Sequence, residues 1–280
     1  MKKFPLRAAV VVVALLVLSF PALAYPQRIV SGLPSVTEML YALGLGDRIV
    51  GVTTNCNYPP QAKKKEKVGG FSLNLEKVVS LKPDLIIMVS DAQKREIDKF
   101  RNYGLKVQTI NPRTIAGVMD SLRELGKLTG RERRAETVIA AMKRRLAAVQ
   151  PTGLGLKLIL NKRPKVLAVV GNNPLIVVGG GTFIDDIIKQ AGAENVAGSS
   201  RAAYPQYSFE SLAKENPEYI IIPKGAVRQD ELAADPHWRR LSAVRNGKLL
   251  VIDADIFTRP GPRVVEAVEL IAHFIYGKKN

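Results

Sequence analysis

The run Asn74-Leu75-Glu76-Lys77-Val78-Val79-Ser80-Leu81-Lys82-Pro83-Asp84-Leu85-Ile86-Ile87 decides the fold, because its pattern returns at Ser208-Phe209-Glu210 and Pro217-Glu218-Tyr219-Ile220-Ile221. In both copies glutamate precedes proline by seven residues, a small apolar residue (Val79, Ala213) lies between them, and an acidic residue and an apolar strand follow. Asn74 and Ser208 are both residue types that cap helix N-termini, which puts Glu76 and Glu210 in the first helical turn. The repeat predicts two related lobes, each presenting one glutamate at a helix start.

Around these copies, short strands rich in Ile and Val alternate with amphipathic segments of helical length. Arg28–Val30, Arg48–Thr53, Asp84–Val89 and Lys106–Ile110 read as strands of the first half. Lys165–Val170, Glu218–Ile222 and Lys248–Ile252 read as strands of the second. Ser35 and Glu38 have capping-box spacing before a helix with Val36, Met39, Leu40 and Leu43 on one face, stopped by Gly44. Further helices run from Asp91 to about Tyr103-Gly104, around Phe183–Ala191 and from about Pro262 to Tyr276. The alternation predicts an α/β fold: two Rossmann-like lobes with mostly parallel sheets covered on both faces. Between the halves, Ala135, Val138, Ile139, Met142, Leu146 and Val149 recur at three- and four-residue steps, one stripe of a single long helix. Pro151, Gly153 and Gly155 end it. The expected division is residues 25–130 for the first lobe, 131–163 for the bridging helix and linker, and 164–280 for the second lobe. Leu154 to Leu160 reads equally as an extra helical turn or a strand.

The N-terminal region addresses the compartment. Lys2, Lys3 and Arg7 precede an apolar run from Ala8 to Phe20, and Ala22 and Ala24 supply an A-x-A cleavage pattern. The run of about 13 residues is short of the ~20 needed to span a hydrocarbon core. Residues 1–24 are therefore read as a cleaved signal peptide delivering a periplasmic protein that begins near Tyr25, with an uncleaved anchor as the other reading. No cysteine lies at the cleavage site, so no lipid attachment there is expected. Cys56 is the one cysteine of the chain, which excludes an intramolecular disulfide. The hydrophobic fraction of 46% indicates packed cores rather than disorder. The net charge of +17 drops by three, to +14, with the loss of Lys2, Lys3 and Arg7. The basic residues are scattered, clustering only at Lys63–Lys67 and Arg131–Arg134, and no nucleic-acid recognition motif accompanies them, so nucleic acid is excluded as a partner.

A carboxylate in a first helical turn complements the macrodipole by about 0.3–1 kcal/mol, and one alone would mean nothing more. Two at matched places make separated negative points suited to a pseudo-symmetric partner with basic sites, where charge favours orientation and encounter. Gly179-Gly180-Gly181-Thr182 lacks the spacing of a phosphate-binding loop and reads as a turn before a helix. His237 and His273, far apart in the chain, offer no converging metal set. No nucleophile–base or paired-carboxylate arrangement is legible. The expectation is a binder without turnover, metal or cofactor.

From Arg28 to Tyr276 the sequence resembles the periplasmic binding proteins built of two α/β lobes bridged by one helix. Within them it is similar to the cobalamin-binding proteins of bacterial corrinoid ABC importers. The resemblance rests on Asn57-Tyr58-Pro59-Pro60-Gln61-Ala62, the Asn74 to Ile86 stretch, Tyr204-Pro205-Gln206, and Asp255-Ile256-Phe257-Thr258-Arg259 with Pro262-Arg263. It implies that a corrinoid is carried in the cleft between the lobes and that Glu76 and Glu210 pair with arginines of the membrane permease. By the same resemblance Tyr58, Phe71 and Tyr204 are aromatic ligand contacts, and Asp255, Phe257 and Arg259 belong to a C-terminal pocket loop. Phe71 and Tyr204 stand where the family pattern has tryptophans and Asn55 where it has a tyrosine, so haem or a ferric siderophore stays open as the ligand. Flat aromatic side chains with polar loop groups suit a corrin ring, apolar on its faces and rimmed with amides. Alternatives stand beside these roles: Asp255 and Arg259, four apart, pairing with each other; Tyr58 packing its own loop. Cys56 is either a small buried residue or a thiolate touching the cobalt. Asn172-Asn173-Pro174 reads as a further loop facing the cleft. A monomer is expected, and a bridging helix implies only a small hinge motion.

Overall fold

The computed structural model describes residues 25–149, 163–227, 232 and 234–277. The expected signal peptide and the run from Leu154 to Leu160 lie outside them. The first lobe comprises β1 (Ile29–Ser31), α1 (Pro34–Ala42), β2 (Ile49–Gly51), α2 (Leu75–Ser80), β3 (Leu85–Val89), α3 (Ser90–Asn102), β4 (Val107–Ile110) and α4 (Ile115–Thr129). The long helix α5 (Glu132–Val149) follows. The second lobe contains β5 (Lys165–Asn172), β6 (Leu175–Val177), α6 (Phe183–Gln190), β7 (Glu194–Asn195), α7 (Phe209–Glu215) and β8 (Tyr219–Pro223). It continues with α8 (Pro236–Arg239), α9 (Ser242–Arg245), β9 (Leu249–Ile252), α10 (Ala254–Thr258) and α11 (Val264–Tyr276).

The first sheet has the order β2-β1-β3-β4, all parallel. In the second, β7, β8 and β9 join β5 in the same parallel arrangement, β7-β5-β8-β9, and β6 is added antiparallel to β5. The central strands β3 and β8 are apolar because both their faces are covered, as parallel sheets require. Leu85, Ile87 and Val89 face one core and Ile86 and Met88 the other; Val166 and Ala168 alternate with Leu167 and Val169 in the same way.

The repeat extends to individual hydrogen bonds. The Asn74 side chain accepts from the Lys77 amide at 2.9 Å and Ser208 from the Ser211 amide at 3.1 Å. Each helix ends on a non-glycine residue with left-handed backbone, Lys82 (φ 46°) and Asn216 (φ 43°), immediately before the repeated proline. The acid after the proline then ties the neighbouring strand. Asp84 accepts from the backbone amides of Gln27 and Arg28 at 2.6 and 3.0 Å, and Glu218 accepts from that of Lys165 at 3.1 Å.

One apolar core is shared by both halves. It runs from Ile29, Met39 and Leu40 through Ile139 and Met142 of α5 to Val268 and Ile271 of α11, while each lobe keeps a smaller core on its outer face. Helix α5 packs on α4 and on α11. Arg145 of α5 donates two hydrogen bonds to Glu269 of α11, at 2.7 and 2.6 Å. Those bonds raise the Arg145 pKa above its ordinary value, against the opposing effect of burial. Across the lobes, the Ile115 amide donates to Asp186 at 2.7 Å.

Two local readings are corrected. Helix α1 opens at Pro34 with Leu33 as N-cap and no side-chain cap; proline suits the first helical position, where its missing N–H costs nothing. Ser35 is buried inside the helix and the Glu38 carboxylate goes to the other lobe, so there is no capping box. Asn172 ends β5 at a tight turn into β6, and its side-chain oxygen accepts from Trp238 Nε1 at 2.9 Å. Its side chain thereby braces the second lobe's outer core, while Asn173 and Pro174 beside it are exposed.

Candidate functional site

In parallel α/β sheets the carboxyl ends of the strands border the ligand crevice. Here those ends bring two loops together: Thr53–Tyr58 after β2, and Asp253–Arg263 after β9. Arg259 is the centre of the junction. It pairs with Asp255 at 2.6 Å, donates to the Asn57 side-chain oxygen at 2.7 Å and to the Asn55 carbonyl at 3.2 Å, and reaches Glu38 at 3.4 Å. The Asn57 side-chain amide donates to Asp255 at 2.7 Å. Arg263 completes the cluster with two hydrogen bonds to Glu38, at 3.0 and 2.7 Å. Burial, the largest influence on Arg263, works to lower its pKa; the Glu38 hydrogen bonds and charge, with Glu266 and Tyr58, outweigh it, and the pKa is raised. Pro34, Thr54, Asn55, Asn57, Asp255, Thr258 and Arg259 line an open depression of about 530 Å³ above this floor.

The expected aromatics divide. Phe71 and Tyr204 are 62% and 56% exposed on loops of opposite lobes. Phe71 is held by the buried Gln93, whose side-chain amide donates to the Phe71 carbonyl at 3.3 Å and to the Gly32 carbonyl, just past β1, at 2.9 Å. Tyr204 is positioned by Gly179 and Gly180. A Cβ on either would lie 2.0 Å from the carbonyl of Ala202 or Gly198, so only glycine lets the Tyr204 loop dock there, and the Gly179 amide donates to the Ala203 carbonyl at 2.8 Å. The glycine run is thus a turn before α6, capped by Thr182. Tyr58 stands elsewhere: its ring covers the Arg263 guanidinium at 3.9 Å. It faces a second cavity of about 410 Å³, lined by Val138 and Met142 of α5 among others. It packs on the floor through the Arg263 contact yet keeps 42% of its surface exposed.

Phe257 is corrected outright. It is 0% exposed and belongs to the shared core; on the short helix α10 its side chain points inward while Asp255 points to the depression. Cys56 is buried, with its Sγ 3.1 Å from the hydroxyls of both Thr37 and Thr53, a small core residue rather than a metal contact. The Asp255–Arg259 pair forms as the spacing allowed. Glu38 was the residue missed. The sequence offered it only as a capping-box partner; burial in α1 is what obliges the carboxylate to take cationic partners, Arg259 and Arg263.

Glu76 and Glu210 are exposed in the first turns of α2 and α7. A helix returning to a parallel strand runs against it, so both N-termini lie toward the edge of the sheets that borders the crevice. The Glu210 carboxyl is held below its ordinary pKa by its own backbone amide and the Ser208 hydroxyl, with a smaller contribution from His237. His237 itself stacks on Phe209 with ring centres 4.9 Å apart. Among the described residues no helix is long and apolar enough to cross a membrane.

Comparison with known proteins places this architecture. Residues 29–256 match the family model described as "Periplasmic binding protein". An ABC transporter substrate-binding lipoprotein, YvrC, of Bacillus subtilis is 34% identical over 90% of this chain and 80% of its own. The vitamin B12-binding protein of Pectobacterium carotovorum is 30% identical over 91% of each chain. Among solved structures, the periplasmic vitamin B12-binding protein BtuF of Vibrio cholerae superposes with a TM-score of 0.75 at 28% identity, covering 89% of this chain and 96% of its own. A periplasmic haem-binding protein of Pseudomonas aeruginosa does so with a TM-score of 0.76 at 27% identity, over 91% and 94%.

Proposed function

The chain belongs to the periplasmic binding protein family, and on that premise we propose that it captures a corrinoid such as cobalamin between its lobes and delivers it to an ABC importer's membrane permease. In this reading residues 1–24 are removed on export, the ligand rests on the Asp255–Arg259 floor between Phe71 and Tyr204, and Glu76 and Glu210 dock on the permease.

The observation that carries the ligand class is the charge state of the floor. Haem brings two propionates and a ferric siderophore a polar, commonly anionic shell, and either calls for cations free to meet it. Arg259 is already paired with Asp255 and Glu38, and Arg263 with Glu38. What lines the depression beyond that network is the uncharged side chains of Thr54, Asn55 and Thr258, matched to an uncharged rim of amides. The similarity to vitamin B12-binding proteins points the same way. The similarity to a haem-binding protein favours the second reading, with the exposed Tyr204 hydroxyl as an iron ligand.

Titration of the purified protein with cyanocobalamin, haem and a ferric siderophore decides between them. Tight binding of cyanocobalamin with weak binding of the other two is expected; tight binding of haem alone overturns the corrinoid assignment.

A further inference from the structure

Glu38 is only 2% exposed at its side chain, so it cannot touch a ligand in the depression. Yet it holds both arginines of the floor, one of which lines that depression. With Asp255 it makes two carboxylates paired to two guanidiniums, four groups of zero net charge among which Asp255 alone would leave one positive charge over; Glu266 acts on Arg263 through space, without a direct bond. We infer that Glu38 is a specificity-determining residue acting through Arg259 and Arg263: it sets the floor's charge so that uncharged, amide-rimmed ligands are accepted and carboxylates are not.

The geometry separates this role from a simple strut. A pair joining the lobes would need one arginine, and Arg263 alone satisfies both Glu38 oxygens. The added approach of Arg259 at 3.4 Å links the buried carboxylate to the residue that meets the ligand. Tyr58 covers the Arg263 guanidinium and lowers its access to water, so its charge is balanced by protein rather than solvent. In such a partly buried site, one unbalanced charge changes the affinity for an anionic group nearby by about tenfold. The inference rests on the floor being the ligand site, not on the ligand being a corrinoid.

The test compares cyanocobalamin with its monocarboxylate, in which one rim amide is hydrolysed, on the full chain. Wild type prefers the amide form. Glu38→Gln leaves the floor one charge positive and shifts the affinity ratio about tenfold toward the acid. Arg263→Gln, one charge negative, shifts the ratio the other way, and the double substitution returns it to wild type. Equal weakening of both ligands by Glu38→Gln, or a double variant that keeps a shifted ratio, overturns the inference. Should Glu38→Gln not fold, an unshifted ratio in Arg263→Gln does the same. If wild type binds neither corrinoid, only the ligand reading fails, and the same ratios are read on haem against its dimethyl ester.

Discussion

Two phenylalanines show what a single residue's environment decides. Phe71, in a loop, and Phe257, on the short helix α10, carry the same side chain, but one is mostly exposed and the other has no accessible surface. Phe257→Ala should therefore cost about 3–5 kcal/mol, the range for emptying a buried aromatic site, measured as a shift in urea unfolding. Phe71→Ala should leave stability within about 0.5 kcal/mol while weakening ligand capture severalfold in titration. The opposite pattern would return Phe257 to the ligand surface. Residue type was legible in the sequence; side-chain direction was not. A motif places both residues near the crevice, but the turn of α10 decides that Asp255 faces out and Phe257 in. The same limit hid Glu38: its spacing from Ser35 fits a cap, and only the position of Pro34 one residue earlier turns that carboxylate toward the opposite lobe.

At the scale of elements, the duplicated helix–proline–strand unit was legible because its determinants are local: a capping side chain, a first-turn acid, a proline and an apolar strand. The acid after the proline does work that spacing does not disclose, since its partner amides lie on a strand more than fifty residues away in sequence. Asp84 holds two amides and Glu218 one, the latter at a longer distance. Removing Asp84 by substitution with alanine should therefore cost about 1–2 kcal/mol, and Glu218→Ala about half that, given the strength of charge-assisted bonds. Denaturant unfolding measures both, and an equal or reversed order would show that the two acids are not equivalent ties. The strands β6 and β7 escaped sequence reading for the converse reason. They are short, and their pairing depends on β5 as a template rather than on their own composition.

The whole molecule behaves as two copies of one unit fixed to each other, and the fixing has consequences for delivery. A core continuous through α5 resists wide closure, because opening it would expose apolar surface at about 25 cal/mol per Å². The Arg145–Glu269 and Glu38–Arg263 pairs and the Ile115–Asp186 bond add ties across the seam. The separation between Glu76 and Glu210 is then nearly independent of ligand, so a permease would meet the same two negative points whether the crevice is empty or full. Their contribution would lie in orientation and encounter rather than in capture. Reversing both, Glu76→Lys with Glu210→Lys, should abolish uptake in permease-containing vesicles while ligand affinity changes by less than about twofold. Both carboxylates are exposed and at helix starts, so each reversal also loses a favourable interaction with the helix dipole, ~0.3–1 kcal/mol. That is too little to unfold a chain with this core. If ligand affinity instead fell in step with uptake, the two acids would be supporting the lobes, and docking would have to be sought on another surface.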